Sequence, residues 1–81
     1  MTDLGLLKIV KEDVYFSRYS ILYLEEDISK IEFARDWDDL IKRLEQKCSN
    51  YHIEQFLFKG PESEVKEIKE ILGIPLELTK L

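Results

Sequence analysis

Two side chains offer the beginnings of nucleophilic chemistry, Cys48 and His52, the single cysteine and single histidine of the chain. A thiol needs a base within hydrogen-bond reach to become a strong nucleophile, and the base in turn needs a third group to orient it. Cys48 lies on an apolar stripe at helical spacing, which describes a small buried hydrophobe better than a reagent. His52 has no third partner in the sequence. Two acidic groups, Glu25-Glu26-Asp27 and Asp36/Asp38/Asp39, supply oxygen ligands of the type that hard cations prefer. Neither has EF-hand spacing, and the second shares its stretch with Arg35, Lys42 and Arg43. The stretch FLFKGPESEVKEIKEIL, residues 56–72, joins an apolar run to a charged helix through Gly60-Pro61. A helix start of this kind can hold a phosphate on its free amides. Here Glu62 and Glu64 already complement the positive end of the helix and repel an anion. A phosphate loop would also require more glycines and a lysine aimed at the ligand, whereas Lys59 lies before the turn. Glycine-rich dinucleotide motifs, nucleophile elbows and zinc-helix motifs are all missing. The expectation is a protein that is not an enzyme, with no catalytic residue, no metal and no cofactor.

Composition narrows the class further. A chain of 81 residues makes one domain, 1–81, with a thin core. A hydrophobic content of 44% suits a folded globule, and the charged fraction of 36% together with scarce Gly, Asn, Gln, Met and Cys fits a thermophilic source. Lys and Arg number 12 against 17 Asp and Glu, for a net charge of −5. Direct nucleic-acid binding depends on a basic footprint that releases counterions, so it is not expected. One cysteine permits no internal disulfide. The apolar stretches are short and interrupted, with Asp3 near the start, so neither a signal peptide nor a membrane span is expected, and the cytoplasm is the expected compartment.

The residues must be positioned by secondary structure that reads as strand, strand, helix, strand, helix, strand. Ser29-Lys30-Ile31-Glu32 has the form of a capping box, with Ile28 and Phe33 placed as a hydrophobic staple. Phe33, Trp37, Leu40, Ile41, Leu44 and Cys48 then recur at helical spacing. Asp38 with Lys42 and Asp39 with Arg43 form i,i+4 pairs in the favourable order. The second helix starts at Gly60-Pro61, buries Val65, Ile68, Ile71 and Leu72, and ends at Gly73 before Pro75. Strands are expected at 5–12, 14–25, 51–59 and 76–80, the first two forming a hairpin that turns near Glu12-Asp13. The result is an α/β (α+β-like) two-layer sandwich in ββαβαβ order. Its mixed sheet begins with an antiparallel hairpin and carries both helices on one face.

The stretch VYFSRYSILYLEED, residues 14–27, carries the functional expectation. Alternation places Tyr15, Ser17, Tyr19, Ile21 and Tyr23 on one side and Val14, Phe16, Arg18, Ser20, Leu22 and Leu24 on the other. Both sides are substantially apolar, yet a two-layer fold covers only one. At about 3.3 Å per residue the expected strand 14–25 would run ~40 Å, long enough to demand a bulge or bend. Tyrosine is favoured at interfaces because its ring is apolar and its hydroxyl tolerates water. Tyr15, Tyr19, Ile21 and Tyr23 are therefore the expected interface of a self-associating interaction module, a dimer or a complex with a protein partner. Tyr19→Glu is then expected to dissociate the assembly and spare the fold. Two alternatives are an acidic inhibitor or decoy of a basic nucleic-acid-handling protein and a small-ligand regulatory domain.

Overall fold

The computed structural model describes residues 2–79. The chain runs β1 (Thr2–Val14), β2 (Ser17–Glu25), β3 (Ile28–Ala34), α1 (Trp37–Asn50), β4 (Tyr51–Lys59), α2 (Glu62–Leu72) and β5 (Leu76–Leu78). One five-stranded sheet has the order β3-β2-β1-β4-β5. β1 and β2 pair antiparallel, as do β2 and β3, whereas β1–β4 and β4–β5 are parallel. The two-layer architecture is as expected, with both helices packed on one side. Leu40 and Leu44 of α1 and Val65 and Ile68 of α2 share a single core with Leu7, Ile9, Tyr19, Ile21, Phe56 and Phe58 of the sheet.

Three local features depart from the sequence expectation. The first hairpin turns at Tyr15-Phe16, closing on a Val14–Ser17 pair, and the register shifts between Lys11 and Val14. The turn shortens the expected strand 14–25 to the nine residues of β2, and the irregularity places one extra residue in β1 and none in β2. Second, residues 28–34 form a strand and not the start of a helix. Glu26 and Asp27 both adopt positive φ, 51° and 66°, and make a two-residue turn closed by the Glu25–Ile28 pair. Such a turn matches the right-handed twist of the flanking strands, although glycine or asparagine is the usual occupant. Third, α1 starts one β-strand later than the Ser29–Glu32 pattern implied. Its N-cap is Asp36, whose Oδ1 accepts from the Asp39 N–H at 2.9 Å, while Asp39 Oδ2 accepts from the Arg35 N–H at 3.0 Å. This is the reciprocal logic of a capping box, built from two aspartates.

The remaining elements follow their sequence signals, except that α2 buries Val65 and Ile68 while Ile71, expected in the same stripe, is exposed. Trp37, Leu40, Ile41, Leu44 and Cys48 face the core from α1, while Phe33 lies on β3 instead. The second helix is capped by Pro61, one residue past the expected glycine, and ends where Gly73 enters the left-handed region at φ 62° and donates its N–H to Lys69 O. The expected strand at 76–80 is present as β5 to Leu78; Lys80 lies outside the described residues. The extra strand also changes the first crossover. α1 connects β3 to β4, passing over β2 and β1, and β4 adds beside β1.

Candidate interaction surface

Where the strands pair regularly, the sheet register assigns their residues to a side. On the helix side, Lys30, Tyr23, Leu7, Phe56 and Leu76 form one row across the five strands. The next row on that side contains Glu32, Ile21, Ile9, Phe58 and Leu78. Tyr19 joins the same layer beside Ala34 and Lys11. The expected interface of Tyr15, Tyr19, Ile21 and Tyr23 therefore requires correction. Tyr19 is 3% exposed and Ile21 is fully buried, both beneath the chain's own helices, which leaves no surface for a second chain to cover. Tyr23 packs against the same core and donates its hydroxyl to Glu32 Oε2 at 3.0 Å. Tyr15 has left the strand for the hairpin turn, where it is fully exposed. The alternation of β2 is present, but the helices cover the side that carries its tyrosines.

The tyrosine hydroxyls are held by a polar network at the seam between sheet and helices. The Glu32 carboxylate accepts from Tyr23, from Arg43 at 3.0 Å and from Lys47. Lys47 also lies 5.2 Å from the centre of the Tyr23 ring and 5.8 Å from that of Tyr51, a cation–π arrangement. Burial pushes the Glu32 carboxyl up, but hydrogen bonds from Lys47, Tyr23 and Arg43 outweigh it and hold the group below its ordinary range. The same burial, with the Glu32 charge alongside, pushes Tyr23 up to about 12. An ionised acid surrounded by its own cations, with a phenol kept protonated, is a structural lock and offers no free base. At the other end of the sheet, Tyr19 donates to Glu64, which also accepts from Lys11 at 2.8 Å. Glu64 thus points back to the sheet from the first turn of α2, where it complements the helix dipole.

The candidates for chemistry are dispersed. His52 is exposed, with Nδ1 3.3 Å from Asp3 Oδ1. Cys48 is half-buried against the core, and burial together with Glu45 raises its thiol pKa, so the reactive thiolate is disfavoured. Asp36 and Asp39 are engaged in capping α1, and Glu25 accepts from the Tyr51 hydroxyl at 2.7 Å. Among the described residues no cluster of His, Cys, Asp or Glu could hold a metal ion, and no helix is long and apolar enough to cross a membrane.

What stands out is the side of the sheet that the helices leave open. There the rows are Phe33, Ser20, Val10 and Lys59, then Ile31, Leu22, Lys8, Leu57 and Glu77, then the Ser29–Leu24 and Leu6–Gln55 pairs. Leu24 is 57% exposed, Ile31 51% and Phe16 62%, and Phe33 and Leu6 are exposed as well. Phe16 meets Phe33 edge-to-face with centroids 5.1 Å apart, so the two rings form one apolar knob at the β2–β3 end. Leu6, Leu22 and Leu24 line a shallow depression of about 530 Å³, with Lys8 and Lys30 at its margin. The sequence signal for this surface is the period-2 pattern Ile31-Glu32-Phe33, which a helical reading of residues 29–48 hides. Comparison with protein-family models, with curated proteins and with solved structures finds no match for the chain.

Proposed function

We propose that this protein is a non-enzymatic interaction module that self-associates as a homodimer through the β2–β3 end of its sheet. The observation that carries this reading is the concentration of exposed large apolar side chains there: Phe16, Leu24, Ile28, Ile31 and Phe33. Isolated exposed hydrophobes are ordinary, but five large ones on β2, β3 and the turn that leads into β2 point to a flank that is covered in use. The second β-segment has two apolar sides, as its sequence requires, and the chain has helices on one of them. Self-association through this flank shelters the part of the other side that lies nearest the β3 edge. The lone free cysteine suits a reducing compartment and supports a cytoplasmic location. The Glu32–Arg43–Asp39 ion-pair network suits a thermophilic source.

Sedimentation equilibrium or light scattering at tens of micromolar tests the reading. A dimer is expected, and replacing Leu24, Ile31 and Phe33 together by serine should yield a folded monomer. A wild-type chain that remains strictly monomeric over that range would refute the proposal. A second reading, a small-ligand regulatory domain, is favoured by the depression between Leu6, Leu22 and Leu24. It predicts a ligand-dependent rise in melting temperature. The acidic-decoy reading draws less support, because Lys8 and Lys59 stand on the uncovered side among its apolar residues.

A further inference from the structure

We propose that two copies of the chain join edge to edge, β3 against β3 and antiparallel, with a two-fold axis passing through Ile31. The inference rests on the self-association reading and specifies its geometry. β3 is an outermost strand of the sheet. Edge strands present a row of backbone donors and acceptors to any passing strand, and proteins blunt them by shortness, proline, bulges or charge. The opposite edge, β5, is three residues long. β3 has seven residues, contains no proline and pairs with β2 from Ile28 to Ala34 without a register shift. Only charge remains as a blunting device, and it sits at Lys30 and Glu32, both on the helix side of the strand.

Those two charges select one register. A two-fold axis normal to the sheet keeps the helices of both copies on the same side and pairs residues that face the same way. Centring on Lys30 sets lysine against lysine and pairs only residues 28–32. Centring on Glu32 sets glutamate against glutamate and pairs only residues 30–34. Centring on Ile31 pairs all of 28–34. Each Lys30 then stands opposite Glu32 of the second copy, joining the Arg43 and Lys47 that already hold that carboxylate, so the full-length pairing and the avoided lysine–lysine contact carry the choice of register. Ile31 meets its own copy, Ser29 meets Phe33, and Ile28 meets Ala34. Opposite charges directly across an antiparallel pair stabilise it, and like charges oppose it. The same charges that discourage arbitrary strands therefore admit a second copy of this one. The exposed Ile28, Ile31 and Phe33 are drawn into the junction, and the sheets merge into one of ten strands, twice the five observed.

Disulfide trapping tests the geometry. In a Cys48→Ser background, Ile31→Cys places two thiols across the axis. Directly opposed residues of antiparallel strands have Cα atoms roughly 4.5–5.5 Å apart, within the range a disulfide spans. Two sheets stacked face to face lie about 10 Å apart, too far for a bridge. Mild oxidation should give a covalent dimer with unchanged circular dichroism, and Lys30→Glu should raise the dimer dissociation constant about tenfold or more. A wild-type dimer that fails to cross-link at Ile31→Cys, or that is indifferent to Lys30→Glu, overturns the edge geometry and leaves self-association standing. A monomeric wild type overturns both.

Discussion

Gly60 offers a quantitative test of how tightly the strand-to-helix joint is built. A methyl group added there would lie 2.4 Å from Cε1 and 3.2 Å from Cδ1 of Phe58, and 3.2 Å from Cβ of Lys11. Phe58 is fully buried and packs beside Tyr19 with ring centroids 6.4 Å apart, so the ring cannot retreat without displacing the core. Overpacking of this kind costs about 1–3 kcal/mol. Against it stands the entropy that alanine removes from the unfolded chain, about 0.4–1 kcal/mol in favour of the variant. The net expectation for Gly60→Ala is a loss of about 0.5–2.5 kcal/mol. For a chain of this size each kcal/mol moves the melting temperature by about 4–8 °C, so a drop of roughly 2–20 °C is expected in a calorimetric or circular-dichroism melt. The cause is isolated by a double-mutant cycle. Phe58→Leu removes the ring atoms that meet the new methyl, so Gly60→Ala in that background should cost little or nothing. A Gly60→Ala protein as stable as the wild type, or an equal cost in both backgrounds, would refute the steric argument. The glycine before Pro61 would then be there for the turn alone.

Further outcomes concern the polar seam and the core. Glu32→Gln removes the charge that holds Lys47 and Arg43, and a loss of about 1–3 kcal/mol in urea denaturation is expected. Because the Tyr23 pKa is raised to about 12, its contribution to stability is complete below pH ~10, where an unfolded tyrosine begins to ionise, and is lost as pH rises through about 12. Tyr23→Phe should abolish that part of the alkaline transition. The lowered Glu32 group acts in the opposite sense. Its contribution is present above the ordinary carboxylate range and is lost as pH falls below it, so acid denaturation of Glu32→Gln should show a shallower acid limb. Tyr19→Glu should unfold the chain rather than dissociate it, because it sets a charge beneath the helices beside Trp37 and Phe58. The expected cost is about 3–5 kcal/mol, seen as loss of native circular dichroism.

Part of this architecture is local and therefore legible in the sequence. The Gly73-Pro75 stop of α2, the Trp37–Cys48 stripe of α1 and the alternation of residues 17–24 each depend on spacing within one turn or one strand, which sequence records directly. The place where α1 begins is not legible in that way. Ser29-x-x-Glu32 and Asp36-x-x-Asp39 are both credible helix starts, and choosing between them requires knowing that β2 has an open flank for residues 28–34 to fill. The turn at Glu26-Asp27 that makes this possible places ordinary side chains in the left-handed region, a strain offset by seven residues of strand pairing that no local window contains.

The amino-acid order alone determined that the second β-segment would be apolar on both sides, since a period of two follows from the pleat of any strand. Which side the helices would cover was decided only by the tertiary structure. α1 and α2 cross over the sheet on the side where Tyr19, Ile21 and Tyr23 meet Leu7, Ile9, Phe56 and Phe58, because those rows fill a continuous core. Leu22, Ile31 and Phe33 remain on the open side, where the rows they share are interrupted by Lys8 and Lys59, whose ammonium groups favour water over a helix.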